Sequence, residues 1–427
     1  MKKLYKNLVV SLLIVVTLLV FASCSFINPY KIDNLPPSLD KSTDIVINNQ
    51  ESLDRKLLSN VDAVSMVDRS CVAIQTSNSM GSGVLVDIDD KINKSGEYYV
   101  ITCQHVIDGL GKTTVYVPDE NGRNFGDDDY NEDFAFTGTL GGKIDLSASL
   151  QLVGGDEVSD VAVLKLRTTK KQVQDNIVKA KVIDSSKYSL QKGESVFAIG
   201  NPTGYLPGTA TFGNVSYIGR IQRIAEKGYM SLIQIDTTSH PGNSGGGLFN
   251  MYGELVGITN AGNVAYVGLN YAIPYKTTSD LKTDRGFISI ATQLIGTHIS
   301  QNQLNYGYVS GRYNFGMITS QNSTSIDGIT VQNYIEIKEI VENSNADLAG
   351  LCVGDIITGV DYVDRKEQIS AQVSTISDLS NIISIIKSTY SVGDSFSFVI
   401  IRNKVELKIK TTIVKEGYIF ADTGIYS

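Results

Sequence analysis

Histidine is scarce in this chain, so chemistry that needs an imidazole base has few candidates. The sequence holds only three histidines. His105 ends the apolar run YYVITCQHV, His240 stands just before a glycine cluster, and His298 lies in a mixed segment further on. A lone histidine is more often structural or surface-exposed than catalytic, and a suitable set of partner residues is what changes that balance.

The stretch PGNSGGGLFN supplies a candidate nucleophile, Ser244, between two strand-like apolar runs. Acyl transfer from a peptide needs a hydroxyl, a base to take its proton, a carboxylate to orient the base, and N–H donors for the developing oxyanion. Asp160 fits the carboxylate, because it directly precedes the apolar run VAVLKL. Gly242, Gly245 and Gly246 permit backbone conformations in which consecutive N–H groups converge on one point. The residue types therefore predict a nucleophilic serine site.

These residues all lie in one long segment, 61–274, whose pattern predicts β-structure. Short apolar runs such as SCVAIQT, YYVITCQHV and ESVFAIG alternate there with Gly, Asn, Asp and Pro. Many short strands separated by turn residues, with almost no helical periodicity, are typical of an all-β barrel or sandwich. The candidate side chains then lie at strand ends or in turns.

A second body follows the β-rich segment. Residues 275–300 are mixed and are expected to include a connecting helix, and 303–415 read as strand, strand, loop, strand, helix, strand, strand. Thr375 and Asp378 are spaced like a capping box at the start of that helix. Its apolar positions, at i, i+3, i+4 and i+7, are Leu379, Ile382, Ile383 and Ile386.

Composition limits the classes of partner. A chain of 427 residues with 42% apolar residues is globular and long enough for two or three domains. The net charge is −8 and the basic residues are scattered singly, so we expect no DNA or RNA partner. The acidic run DDDYNED at 127–133 is interpreted as a solvated loop rather than a calcium site, since it lacks the spacing and glycine of a calcium loop.

The cysteines past the N-terminal region suggest neither a zinc site nor a disulfide framework. Cys71, Cys103 and Cys352 have no C-x-x-C spacing. A bridge between Cys71 and Cys103 is left open by the sequence.

The N-terminal region predicts export. Three lysines precede an apolar run at 8–22, and small residues follow it, which is the layout of a signal segment at 1–24. The quartet FASC, ending in Cys24, resembles a bacterial lipobox, in which the cysteine is lipidated. An uncleaved membrane anchor is the alternative, and in both cases the body faces the outside of a membrane. The polar segment 25–60 is expected to be a flexible tether.

Three motifs together carry a family resemblance. TCQHVIDG, SDVAVLKL and PGNSGGGLFN resemble, in that order, the His, Asp and Ser motifs of the chymotrypsin-like serine proteases, most closely those of the high-temperature-requirement (HtrA, or Deg) family. Subtilisin-like enzymes and α/β-hydrolases use other orders. MGSGVLVD and LNYAIP extend the resemblance. It implies a trypsin-like protease domain at 61–285 with a chymotrypsin-like double six-stranded β-barrel.

The resemblance also implies roles for the residues. Ser244 would be the nucleophile, His105 the general base and acid, and Asp160 the orienting carboxylate. The backbone N–H groups of Gly242 and Ser244 would form the oxyanion hole, with Asn243 shaping the loop.

Substrate selection is expected near the nucleophile. By resemblance to the chymotrypsin-like proteases, Thr238, six residues before Ser244, would line the base of the pocket for the residue preceding the cut, and the segment from Gly262 would form a nearby wall. Because Thr238 carries no negative charge, we expect small or medium apolar residues there.

The C-terminal body has its own resemblance. NADLAGLCVGDIITGVD resembles a conserved segment of PDZ domains, and RYNFGMIT resembles their carboxylate-binding loop. This implies a linker at 286–302, an α+β PDZ domain at 303–415 that binds C-terminal peptides as an added strand, and a tail at 416–427. The implied peptide contacts are Asn314, Phe315 and Gly316 of the loop and Ile382 of the helix. The alternative is that Phe315 is a core residue and the groove is unused.

Together these features predict an exported, membrane-tethered serine endopeptidase. By resemblance to the family it would cut unfolded or misfolded exported proteins, need no metal or cofactor, and assemble as a homotrimer. The rival hypothesis is a non-catalytic PDZ adaptor or chaperone on a degenerate protease scaffold. The presence of His105, Asp160 and Ser244 favours the enzyme.

Overall fold

The computed structural model describes most of the chain from Lys56 onward. The described residues are 56–87, 95–108, 111–141, 144–184, 186–224, 227–262, 268–281, 283–300, 306–307, 309, 311–325, 331–342 and 344–414. The predicted signal segment with Cys24, nearly all of the predicted tether and the predicted tail lie outside them. None of the helices within the described part is long and apolar enough to cross a membrane.

The first part of the β-rich segment forms one antiparallel sheet. Its strands are β1 (Cys71–Gln75), β2 (Met80–Val86), β3 (Glu97–Thr102), β4 (Gly111–Tyr116), β5 (Ala135–Leu140), β6 (Leu150–Asp156) and β7 (Val161–Arg167). The spatial order is β5-β4-β1-β2-β3-β7-β6, so β3 and β7, which are far apart along the chain, are neighbours.

The second part forms a closed barrel. Its strands are β8 (Lys181–Val182), β9 (Ser195–Gly200), β10 (Thr209–Ile224), β11 (Gly228–Ile235), β12 (Gly247–Asn250), β13 (Glu254–Gly262) and β14 (Asn270–Pro274). Strand β12 pairs with both β9 and β13, which closes a ring of six strands, and the short β8 adds in parallel to β13. The predicted double-barrel fold is confirmed, although the first sheet has seven strands rather than six.

Helices cover parts of these sheets. They are α1 (Asn60–Val67), α2 (Lys171–Asn176) and α3 (Phe287–Ser300). The described body begins slightly before the predicted start at residue 61, because Ser59 caps α1 by accepting a hydrogen bond from the N–H of Asp62. Helix α3 is the expected connecting helix. It is no free linker, since Phe287 and Leu294 are fully buried in the same core as the barrel strands.

A smaller α+β lobe follows α3. Its elements are β15 (Met317–Ser325), β16 (Val331–Ile340), α4 (Asn345–Ala349), β17 (Ile356–Asp364), β18 (Glu367–Gln372), α5 (Ile376–Thr389), β19 (Ser395–Arg402) and β20 (Val405–Thr412). The sheet order is β15-β16-β17-β19-β20, with β18 paired to β17. The predicted helix is present as α5, and Thr375 and Asp378 form its capping box.

Two elements of this lobe were missed by the sequence prediction. Helix α4 spans five residues, too few to show a helical period. Strand β18 reads EQISAQ and is mostly exposed, so it lacks the apolar run that marked the other strands.

The lobe is packed against the barrels through a few polar anchors. Tyr229 of β11 has its side chain in the core of the lobe, and its hydroxyl donates to Asp364 at 3.0 Å. Its backbone N–H donates to the hydroxyl of Ser388 on α5 at 2.9 Å. Arg312, which is 3% exposed, forms a two-fold hydrogen bond with the buried carboxylate of Asp156 at the end of β6. The contact with Ser388 fixes α5 beside the start of β11, and Arg312 fixes the segment before β15 at the end of β6.

Candidate active site

Strand pairing brings the predicted base and carboxylate together. His105 lies in a short 3₁₀ turn that follows β3, and Asp160 lies in the turn that precedes β7. Thr102 of β3 pairs with Ala162 of β7, so the two turns meet at one end of this strand pair. The Nδ1 atom of His105 is 2.6 Å from Oδ2 of Asp160, and its backbone N–H donates to Oδ1 at 2.9 Å. The side chain of Asp160 is 2% exposed and that of His105 is 36% exposed.

Ser244 reaches the same place from the loop between β11 and β12. Its hydroxyl donates to the backbone carbonyl of Asn260 on β13 at 2.9 Å. The side-chain amide of Asn260 donates in turn to Oδ2 of Asp160 at 2.6 Å. Within the described part of the chain, no hydrogen bond joins Ser244 directly to His105. The three predicted residues therefore share one hydrogen-bonded group, in which Asn260 links the serine to the aspartate.

The glycines around Ser244 allow its loop to fit closely between neighbouring backbones. Gly242 has φ +99°, and a Cβ there would lie 2.2 Å from the carbonyl oxygen of Asn201. The N–H of Asn243 donates to the carbonyl of His240 at 3.0 Å. The N–H groups of Gly242 and Ser244, by contrast, have no acceptor among the residues described. Two unoccupied donors flanking a serine are the arrangement that an oxyanion requires.

Charge at the site is concentrated on Asp160. Burial alone would raise the pKa of this carboxyl, but the ammonium group of Lys227 and the hydrogen bonds from His105 outweigh burial and lower the pKa to about 2. Lys227 lies 3.2 Å from Oδ1 of Asp160 and 3.4 Å from Oδ2 of Asp108. Burial would lower the pKa of Lys227, and the two carboxylates raise it above its ordinary value. Asp160 is thus ionised and Lys227 is charged.

Asn260 and Lys227 were missed by the sequence analysis. Asn260 directly follows the apolar run ELVGIT, and a polar residue at the end of such a run is a weak signal for a polar function. Lys227 is a single lysine in a turn, and nothing in the sequence distinguishes it from other scattered lysines.

The remaining predicted pocket residues are less informative. Thr238 is exposed, and its carbonyl accepts a hydrogen bond from the hydroxyl of Thr211 at 3.0 Å. Gly262 ends β13, and residues 263–267 are outside the described residues, so the pocket for the residue before the cut stays a prediction. His240 is exposed, and its backbone carbonyl accepts the hydrogen bond from the N–H of Asn243. His298 is buried in α3.

The thiols near the site are reduced. Cys71 and Cys103 are both free and buried. The disulfide that the sequence left open between them is not formed in this structure. Burial, together with the nearby charge of Asp160, raises the pKa of the Cys103 thiol well above its ordinary value. Ligand atoms of Cys103, His105 and Asp160 lie within 4.8 Å of one another. A cation there would have to ionise this thiol and displace Lys227. The acidic run 127–133 lies in a largely exposed loop.

A second concave feature lies in the smaller lobe. A cavity of about 200 Å³ is lined by the loop before β15, by β15 and by α5, and the barrels add Glu157, Val158 and Lys227. Asn314 and Phe315 line it, but the Phe315 ring is 3% exposed and packs edge-to-face against Phe396.

The structure describes the surroundings of two predicted peptide contacts, Ile382 and Gly316, whose role stays a prediction. Ile382 is 6% exposed in the core, and its neighbours Leu379 and Ile383 face the cavity instead. The N–H of Gly316 donates to the side chain of Asn314 at 3.3 Å, so this donor is already engaged within the loop.

Comparison with known proteins agrees with this geometry. The profile of the trypsin-like peptidase domain family matches residues 81–258. A Haemophilus influenzae protein described as "Probable periplasmic serine protease do/HhoA-like" is 31% identical over 305 residues, covering 69% of this chain and 53% of its own length. The periplasmic serine endoprotease DegP of Escherichia coli is 30% identical over 309 residues, covering 70% of this chain and 52% of its own.

A further relative is the serine protease Do-like HtrA of Bacillus subtilis, which is 29% identical over 343 residues, covering 78% of this chain and 63% of its own. The chain spans about half the length of the first two relatives. The chain belongs to the HtrA/Deg group of trypsin-like serine proteases.

Proposed function

We propose that this chain is an exported serine endopeptidase whose catalytic residues are Ser244, His105 and Asp160. The observation that carries the proposal is the hydrogen-bonded group of these residues beside two N–H donors without an acceptor among the described residues. The relatives named as periplasmic serine proteases support both the activity and export. In keeping with such relatives, we propose unfolded or misfolded exported proteins as substrates.

The reaction follows from these positions. The Ser244 hydroxyl turns from the Asn260 carbonyl toward Nε2 of His105, loses its proton there, and attacks the scissile carbonyl carbon. The N–H groups of Gly242 and Ser244 stabilise the oxyanion. The Nδ1–H of His105 donates a hydrogen bond to Asp160, which sets the tautomer of His105 and stabilises its cation.

The second half of the reaction regenerates the enzyme. His105 gives its proton to the departing amine, and an acyl-enzyme remains on Ser244. A water molecule, deprotonated by His105, then attacks the ester carbonyl, and His105 returns that proton to the Ser244 oxygen as it leaves, which releases the acid product and restores the hydroxyl. Asp160 stays ionised throughout, in agreement with its lowered pKa.

We propose further that the smaller lobe is a PDZ domain spanning 303–415. Among the described strands, β15 pairs with β16 on one side only, so its other edge can accept an extended peptide as an added strand. The cavity between β15 and α5 offers apolar side chains, among them Leu379 and Ile383, for the last side chain of such a peptide. The N–H of Phe315, which has no acceptor among the described residues, is a donor for the terminal carboxylate.

Active-site labelling tests the enzymatic proposal against the adaptor hypothesis. We expect a fluorophosphonate probe to label the wild-type protein and not Ser244→Ala. The same substitution should lower casein turnover by on the order of a million-fold while the fold is retained. Ser186→Ala is the matched control, because the hydrogen bonds of this exposed serine to other described residues go to Asp184 in its own turn. Labelling or casein cleavage that survives Ser244→Ala at the control level would refute the proposal.

A further inference from the structure

Lys227 lies in a turn, yet its ammonium group contacts the carboxylate of Asp160, whose side chain is shielded from water. It follows β10, and its side chain is only 14% exposed. Its ammonium nitrogen lies 3.2 Å from Oδ1 of Asp160, whose side chain is 2% exposed. An ion pair that shields both groups from water is geometrically demanding, and removing one partner leaves an uncompensated charge.

The contacts of Asp160 are divided evenly between its two oxygens. Oδ2 faces Nδ1 of His105 and the amide of Asn260, each at 2.6 Å. Oδ1 accepts the backbone N–H of His105 at 2.9 Å and faces Lys227 at 3.2 Å. Lys227 is the donor of this set that carries a permanent charge. It therefore fixes the carboxylate on the side away from the imidazole.

We propose that Lys227 is a positioning residue, whose ammonium group holds Oδ1 of Asp160 so that Oδ2 stays directed at His105. The inference rests on the proposed function, since it assigns His105 as the base. Within the described part of the chain, no hydrogen bond or ion pair joins Lys227 to His105 or Ser244, so it acts on the site through Asp160.

The charge of Lys227 should affect the pH dependence of activity, which a purely packing role would not change. A cation beside Asp160 offsets part of the attraction between this carboxylate and the protonated imidazole of His105. Without that cation, His105 binds its proton more tightly. The acid limb of the activity profile then moves to higher pH.

Among the described residues, three further titratable groups lie around this pair. Asp108 shares Lys227 at 3.4 Å from its Oδ2, and its side chain is 48% exposed. Glu157 accepts a hydrogen bond from Lys387 at 3.0 Å, so much of its charge is already balanced. The thiol of Cys103 is neutral because burial raises its pKa. Asp108 is thus the group through which the charge of Lys227 can be changed indirectly.

The test is the pH dependence of kcat/KM, with enzyme concentration set by fluorophosphonate titration. For Lys227→Met we expect the acid limb to move to higher pH by on the order of one unit. This is the effect expected when a charge a few ångströms from the titrating pair is removed near a protein surface. We also expect the plateau of kcat/KM to fall about 10-fold, as when a partner that orients a site ligand is lost. Lys227→Arg should keep the wild-type acid limb. Lys187→Met, which breaks an exposed pair with Asp184, is the matched control.

Asp108→Asn provides an independent measurement of opposite sign. It removes a negative charge near the pair and leaves Lys227 wholly to Asp160, so the acid limb should move down by a few tenths of a pH unit. An unchanged acid limb in Lys227→Met, or a shift of the same sign in both variants, would overturn the proposal. Failure of the wild-type enzyme to label would instead overturn the proposed function and is seen before any variant is compared.

Discussion

Gly242 offers a direct test of the loop that carries the proposed nucleophile, Ser244. Its φ of +99° is one that side chains rarely adopt, and a Cβ at this position would lie 2.2 Å from the carbonyl oxygen of Asn201. Gly193 also has a positive φ, +88°, but a Cβ there would meet nothing within 4 Å. The substitutions Gly242→Ala and Gly193→Ala therefore share the backbone strain and differ in the contact.

The magnitude follows from these two terms. The left-handed conformation costs a non-glycine residue about 1–2 kcal/mol, and we expect both variants to lose this much of their free energy of unfolding. Only Gly242→Ala must also move its backbone by about 1 Å, since a carbon and a carbonyl oxygen approach to about 3.3 Å. A displaced N–H donor at the oxyanion site lowers kcat by about 100- to 1000-fold.

The assay compares the two variants by fluorophosphonate labelling rate and by kcat on a peptide substrate, after their unfolding free energies have been measured. We expect Gly193→Ala to keep the wild-type kcat. Gly242→Ala should lose at least about 100-fold while remaining folded at the assay temperature. If Gly242→Ala stayed within a few-fold of Gly193→Ala, the N–H of Gly242 would not serve the oxyanion.

Three more predictions concern other parts of the molecule. Asn260→Ala removes the amide that donates to Asp160 at 2.6 Å. It should lower kcat/KM by about 10- to 100-fold, the effect of losing one hydrogen bond to a charged group. Near-wild-type kinetics would show that this hydrogen bond does not support catalysis. The folded-state pKa of Asp160, about 2, lies below that of an unfolded chain, so its contribution of about 2 kcal/mol to stability is present above about pH 4 and is lost as pH falls toward 2. Urea unfolding of wild type and Asp160→Asn across this range should therefore converge at low pH; a constant difference would refute the assignment. Ile383→Asp should weaken binding of a peptide with a free C-terminus, measured by fluorescence anisotropy, without changing kcat on a short substrate; unchanged peptide affinity would argue against the groove between β15 and α5.

The features that the sequence determined are those encoded over short distances. The spacing of four apolar residues with Thr375 and Asp378 specified α5 and its cap, because helical period and capping are local properties. The glycines around Ser244 indicated a loop with backbone conformations that residues with a side chain rarely adopt. The residue types of His105, Asp160 and Ser244 pointed to nucleophilic acyl transfer. Short elements such as α4 escaped, because five residues do not reveal a period.

Tertiary structure alone decided which distant groups meet. The pairing of β3 with β7 places His105 beside Asp160, and the barrel sheet delivers Asn260 to the same carboxylate. Lys227 is an ordinary turn lysine by sequence, and only the packing of its turn against Asp160 makes it a half-buried counter-charge. Such contacts join residues tens of positions apart, and their energies depend on distance and burial, which no local pattern encodes. The chemistry was therefore readable from residue types, whereas the electrostatic setting of that chemistry was fixed by the fold.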